Sequence, residues 1–225
     1  NEVSPYSIGL LYAVHASTDS ITFVVSTNGG VSFEPKKSVA TTTQWFGQVS
    51  LAYGYCPTYN YGRYNAVWLQ RTGYQAKTGR IQYSRNSSVV TSNFITPVYV
   101  DWETTVQGKC RNPKIACQFN NVNNDSSNVT AVVVFERYGY WNNSDNDIIG
   151  YFNSRASSGN YWYRFDIENG TANNSKQPDV NYDSDYNNFL VTYWDSTSNY
   201  LTYKVHGYNM LNDSWGLISG YYNDN

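Results

Sequence analysis

Oxygen-bearing side chains at alternate positions are the first chemistry this sequence offers. The run Asp183-Ser184-Asp185-Tyr186-Asn187 spaces Asp183, Asp185 and Asn187 as the opening of a calcium loop does, and Asn143-Ser144-Asp145-Asn146-Asp147 is a second such run. Hard divalent cations take oxygen ligands at this spacing, but neither run is followed by the Gly and bidentate Glu that complete a known loop. Asx-rich segments also close hairpins without metal, their side chains accepting hydrogen bonds from turn amides. Calcium at Asp183, Asp185 and Asn187 is therefore one reading, and a polar turn is the other.

Aromatic rings are the second resource. The chain has 23 Tyr, 7 Trp and 9 Phe, more than its core needs, and they crowd segments 53–64 and 138–141. Exposed flat rings suit sugar faces and protein hot spots. Tyr59, Tyr61, Tyr138, Tyr140 and Trp141 are accordingly the candidate ligand contacts, whereas rings inside strands are expected to serve packing.

Other reactive groups are sparse. Cys56, Cys110 and Cys117 form no CxxC pair and stand at no zinc spacing from His15 and His206, the two histidines. A strand over 114–118 would hold Cys110 and Cys117 too far apart to bridge, so buried free thiols are expected. Arg63, Arg80, Arg111, Arg137 and Arg164 fall near strand ends and are expected to be solvated or stacked surface groups. There is no phosphate loop, nucleophile elbow or zinc helix, so no catalytic residue is assigned.

Charge narrows the partners. Only 14% of residues are charged, with 15 Lys+Arg against 17 Asp+Glu. No basic run is long enough to neutralise a series of phosphates, which argues against nucleic acid and anionic membranes and for neutral ligands or protein surfaces. The densest apolar runs, 131–135 and 21–25, are about five residues long, far short of a membrane helix. The start, Asn1-Glu2-Val3-Ser4-Pro5, has neither an initiator Met nor a basic-then-apolar leader and is expected to be processed or cut from something longer. A polar complement of Asn, Ser, Thr, Gly and Tyr resembles that of secreted bacterial β-proteins. Seven Asn-x-Ser/Thr triplets, at Asn86, Asn124, Asn128, Asn142, Asn169, Asn173 and Asn212, matter only in a eukaryotic secretory setting.

The elements that must position these groups are strands. Val, Ile, Thr, Tyr, Phe and Trp cluster in runs bounded by Gly, Asn, Asp and Ser, and stretches of helix formers at 3.6 spacing are nearly absent. The runs recur with a period of about 55 to 65 residues. Second strands of the repeat are expected at 8–14, 65–70, 129–136 and 188–194, and third strands at 20–26, 79–84, 147–154 and 199–206. Fourth strands should begin at Phe33, Phe94, Trp162 and Trp215. First strands are expected at 48–53, 113–119 and 178–182, where Asn112-Pro113-Lys114-Ile115 and Gln177-Pro178-Asp179-Val180 are nearly one phrase, with Pro as the first strand residue. Four-stranded units in tandem predict an all-β β-propeller of about four blades, in approximate units 1–45, 46–108, 109–174 and 175–225. The first unit lacks its first strand. Either Gly220-Tyr221-Tyr222-Asn223 supplies it and closes a small ring, or the chain is a portion of a larger propeller, which is the preferred reading.

Ser26-Thr27-Asn28-Gly29-Gly30-Val31-Ser32-Phe33 resembles the Asp-box, Ser-x-Asp-x-Gly-x-x-Trp, of sialidase-like propellers. Asn28 takes the Asp place and Phe33 the Trp place. Such a box needs an acceptor for turn amides, a Gly for positive φ and an aromatic that pins the hairpin. Ser154 to Trp162 reads as the box with one residue inserted, Ser84 to Phe94 as a longer degenerate copy, and Asn209 to Trp215 keeps little beyond the terminal aromatic.

In that family the box is structural, so the resemblance through Ser26, Asn28, Gly30 and Phe33 implies a fold and not an activity. A sialidase also needs three convergent arginines, a Tyr-Glu nucleophile pair and an Asp acid/base, the first arginine lying in an Arg-Ile-Pro-type phrase absent from this sequence. The expectation is a non-enzymatic binding or scaffold module without a cofactor, belonging to a secreted or cell-surface bacterial protein. Its composition resembles that of adhesins and type IX secretion cargo, and its partner would be a glycan or a protein. The alternative is a sialidase-like glycoside hydrolase whose catalytic residues lie partly outside this segment.

Overall fold

The computed structural model describes residues 7–14, 19–42, 45–56, 61–71, 73, 75–86, 91–101, 109–118, 130–138, 146–153, 162–168, 174–186, 188–197, 199–209 and 214–224. All regular structure among them is antiparallel strand. The first unit holds β1 (Ile8–Val14), β2 (Asp19–Ser26) and β3 (Lys37–Thr42). The second holds β4 (Trp45–Cys56), β5 (Tyr61–Arg71), β6 (Gly79–Arg85) and β7 (Val98–Tyr99), and the third β8 (Cys110–Cys117), β9 (Ala131–Tyr138), β10 (Asn146–Asn153) and β11 (Tyr163–Glu168). The fourth holds β12 (Ser175–Asp183), β13 (Asn188–Asp195), β14 (Tyr200–Asn209) and β15 (Ser214–Asp224). Each unit is an up-and-down meander, and the second and third are joined into one sheet by a single register pair, Gly79 with Cys110. Gly79 is required there, because a Cβ would lie 2.0 Å from the Gln70 carbonyl oxygen.

The sheets pack face to face, and the core lies in the seams. Ile21, Phe23 and Val25 of the first unit meet Phe46, Tyr64, Ala66 and Trp68 of the second. Alternate residues of the same strand, Val67 and Leu69, turn the other way to meet Ile115, Val133 and Phe135. Val132 and Val134 in turn meet Val180, Phe189, Val191 and Tyr193. Strands β5 and β9 are thus buried on both faces, which is why they read as continuous apolar runs and not as alternations. Strand β1 is equally apolar in sequence, yet Leu10 is 49% exposed, and Ile8 and Val14 are also exposed.

First strands β4, β8 and β12 adjoin one another in order, and each also touches the second strand of the unit before it. Strand β1 stands to β4 as β5 stands to β8, so it occupies a second-strand place and the first unit has three strands among the described residues. Residues Gly220 to Asn223 do not supply the missing strand: they belong to β15, where Tyr222 pairs with Tyr203.

Two expectations are corrected. Pro113 and Pro178 do not begin their strands; β8 and β12 start three residues earlier, and each Pro sits inside a bulge where no ladder donor is lost. The strand expected at Phe33 begins only at Lys37, because residues 27–36 form a hydrogen-bonded loop closed by Glu34 N–H donating to the Val25 carbonyl at 2.8 Å. No helix of the described residues is long and apolar enough to cross a membrane.

Candidate functional site

The first strands share a device that positions a site. Each has a register shift near its start, at Gly47/Val49 in β4, Arg111/Lys114 in β8 and Lys176/Asp179 in β12. Gln48, Asn112 and Gln177 fall at the same step of the three bulges. Asn112 and Gln177 both adopt φ 53°, and each is followed by Pro. Left-handed backbone is tolerable for Asn but costly for Gln, at about 1 kcal/mol or more, so the surroundings must hold it. They do so through hydrogen bonds across the seams. Asn112 N–H donates to Gln48 Oε1 at 2.8 Å, and Gln177 N–H donates to Glu136 Oε1 at 2.7 Å. Gln48 Nε2 also donates to Asn112 Oδ1, and Asn112 Nδ2 to Glu136 Oε1.

These bulges line a cavity of about 460 Å³ at the inner edge, with Val49, Pro113 and Pro178 as its apolar walls. Three amide side chains form its rim. Lys114 and Asp179, one step further along β8 and β12, enter the same cavity; both are exposed, and no ion pair joins them. Beneath lies Glu136, only 1% exposed, its carboxylate receiving Arg111 Nε as well as the two amides. Arg111 continues the chain of contacts to Asn146 Oδ1 at 3.1 Å, and Asn146 donates to Asn174. A carboxylate with three donors and a guanidinium with two acceptors are structural ties across the seams, and Coulomb attraction at low exposure makes them strong ones.

The remaining arginines do not join this cavity. Arg80 stands against Asp101 at 3.7 Å and over the Tyr99 ring at 3.6 Å, and Arg137 is fully buried opposite Asp147 across β9 and β10. Arg164 pairs with Asp166 at 2.6 Å. Arg63 lies at the far end of β5, where burial lowers its guanidinium to about 10.

The aromatic candidates are separated by the fold. Tyr138, 42% exposed, ends β9 at the cavity end of the sheet, its N–H donating to the Lys109 carbonyl at 3.0 Å. Tyr61 opens β5 opposite Cys56, at the other end. The two strand positions are thus at opposite ends, and Tyr59, Tyr140 and Trp141 lie outside the described residues.

The Ser26 to Phe33 segment is also at the end away from the cavity. Ser26 Oγ accepts Gly30 N–H at 2.8 Å, and Asn28 Oδ1 accepts Ser32 N–H at 2.9 Å, with Gly29 and Gly30 at φ 72° and 91°. Phe33 is 45% exposed and belongs to no buried cluster, so it does not pin the hairpin; the side-chain and backbone bonds of the loop do that work. In the second unit Asn86 accepts Tyr64 N–H at 2.9 Å and donates to the Ser92 carbonyl at 2.9 Å. Of the copy from Ser154 to Trp162, residues 154–161 lie outside the described residues, whereas Trp162 is buried edge-on against Tyr83 at 4.8 Å.

Asp183 caps its own turn, its Oδ1 accepting N–H from Asp185 at 2.9 Å and from Tyr186 at 3.4 Å. Asn187 lies outside the described residues, and among those described no group of three His, Cys, Asp or Glu is placed to hold a metal. Cys110 and Cys117 are buried free thiols at opposite ends of β8, both pushed up by burial, while the Cys56 side chain is not described.

No family model and no curated protein matches the sequence. Among solved structures, the Trypanosoma rangeli sialidase matches in its complex with the inhibitor DANA and in its complex with sialic acid. The TM-scores are 0.54 and 0.55 and the identities 8% and 9%. The fold is that of a sialidase-like β-propeller segment. The match covers 96% of this chain but only 37% and 36% of the sialidase chains. At such identity the likeness carries the fold alone.

Proposed function

We propose that this propeller segment is a non-enzymatic recognition module of a secreted or cell-surface bacterial protein, and that it binds a glycan or protein ligand at the inner-edge cavity. The observation that carries the reading is the cavity itself: about 460 Å³, walled by prolines and rimmed by amides, with Lys114 unpaired inside it among the described residues. The Gln177 side-chain amide, with the exposed Lys114 ammonium and Asp179 carboxylate in the same cavity, suits hydroxyl and carbonyl groups, and strained backbone is a mark of functional positions. Glu136 and Arg111, the groups best able to do acid-base or anion chemistry there, are already spent on each other and on the bulge amides.

The test is a glycan array and an immobilised-protein pull-down run with wild type and Lys114→Ala, beside a fluorogenic sialoside assay. Binding by the wild type that weakens about tenfold in the variant, without turnover, supports the module; loss of one charge-assisted hydrogen bond of about 1.5 kcal/mol has that effect. Sialoside turnover by the wild type would favour the rival reading, a glycoside hydrolase with catalytic residues partly outside this segment.

A further inference from the structure

A second cavity, of about 410 Å³, opens at the seam between the first and second units and shares no residue with the inner-edge one. Four consecutive residues of β3, Ser38 to Thr41, line it from the first unit, and Phe46, Gln70, Gln82 and Pro97 from the second. Neighbouring residues of a strand point to opposite faces of the sheet, so four in a row meet one cavity along the strand's edge. Strand β3 is the last of its sheet, and its outer edge from Ser38 to Thr41 has no hydrogen-bond partner among the described residues. That wall is therefore a row of alternating N–H and C=O groups. Both glutamines are held by their oxygen ends: Gln82 Oε1 accepts Trp68 Nε1–H at 2.9 Å, and Gln70 Oε1 accepts the Tyr99 hydroxyl at 2.8 Å. Indole nitrogen can only donate, so the orientation of the Gln82 amide is forced, and its Nε2 has no partner among the described residues. Beside the cavity Lys37 Nζ donates to the Thr91 carbonyl, tying β3 to the segment that leads to Pro97. No charged side chain is part of the lining.

We propose that this seam is a separate recognition site, which takes a short, extended, uncharged segment of a partner polypeptide as an added strand on β3, with Gln82 Nε2 donating to a carbonyl on the segment's far edge. A polypeptide main chain in extended form repeats its donor and acceptor every second residue, about 6.8 Å, which is the period of the β3 edge itself. The same main chain carries carbonyls on its other edge, where an amide donor fixed by Trp68 can meet one. A charged side chain would enter a lining that offers it no counter-charge, so uncharged segments are selected. The β2–β3 register shifts between Ile21 and Thr22 and leaves Val39 as the extra residue, which bends the edge and keeps the added strand short. A bent edge also disfavours pairing between two copies of β3, which makes a different chain the better occupant.

Selection of a phage-displayed random peptide library on the 225-residue chain supplies the probes, and each selected peptide is resynthesised with one N-methylated residue at a time. Pairing along one edge predicts an alternation: methylation at every second residue of the paired stretch weakens binding about tenfold or more, and methylation at the residues between has little effect. Gln82→Glu keeps an acceptor for Trp68 Nε1–H and removes the donor, so it should weaken the same peptides about tenfold, with the aromatic circular dichroism as the check on folding. Bound peptide should also slow hydrogen exchange at those amides of residues 38–41 that β2 leaves open. Peptides that show no alternation, or that bind Gln82→Glu as well as the wild type, overturn the proposal, as does a selection that yields no binder. Exchange protection of every amide in 38–41 of the dilute free chain would put a segment of this chain on the edge, and protection that grows with its concentration a second copy; either result overturns it too.

Discussion

Replacing Asp101 by Asn isolates one proton at the seam of the second and third units. Asp101 is fully buried; its Oδ1 accepts Ile81 N–H at 3.0 Å, and its Oδ2 faces Cys110 Sγ at 3.6 Å and Arg80 Nε at 3.7 Å. Burial raises its carboxyl to about 7, with Arg80 and the Ile81 amide pulling only part of the way back. A carboxyl raised on folding keeps its proton in the native state while the unfolded chain has lost it. Stability from this group is therefore full below the unfolded value of about 4 and is lost as pH rises from there through about 7. Between about pH 5 and 8 the loss is about 3 kcal/mol, or about 10 °C in Tm for a chain of this length. Asp101→Asn cannot titrate, so the wild type should lose that amount relative to the variant over the same interval, read by denaturant unfolding at matched ionic strength. Parallel profiles for the two proteins across that interval would refute the reasoning.

Other expectations follow from single contacts. Gly79→Ala should destabilise by about 3 kcal/mol or more in denaturant melts, because the new Cβ would meet the Gln70 carbonyl and the seam cannot open locally. Ser26→Ala should cost about 1 kcal/mol through the lost Gly30 amide bond, with no effect on ligand binding, since the loop is at the other end of the sheet. Asn86 should stay unmodified in a eukaryotic secretory host, as peptide mapping would show, because its amide is buried between Tyr64 and Ser92. Millimolar calcium should leave Tm unchanged, since Asp183 already serves the amides of Asp185 and Tyr186.

Strand positions were legible because burial on both faces leaves an unbroken apolar run, as at Val132, Val133 and Val134 of β9. The same signal concealed the difference between β1 and β5: apolar composition records what a face requires, not whether its cover is present. The β3 start was misplaced because Phe33 looks like a strand leader, whereas the Ser26 and Asn28 bonds extend the loop past it. The cavity was missed. Its signal was present in the paired phrases at Asn112 and Gln177, but an amide residue before Pro reads as an ordinary extended dipeptide, and φ 53° is set by the seam. Glu136 and Arg137 ending a valine-rich run were the other cue, since charges in a strand buried on both faces need partners.

The most direct measurement of the proposed recognition site is amide chemical-shift mapping of the isotope-labelled chain with the strongest ligand from the array. Binding at the cavity predicts that shifts concentrate on Val49, Asn112, Lys114 and Gln177. Shifts centred instead on the Ser26 to Glu34 loop or on the Cys56 and Tyr61 end of the second sheet would contradict it.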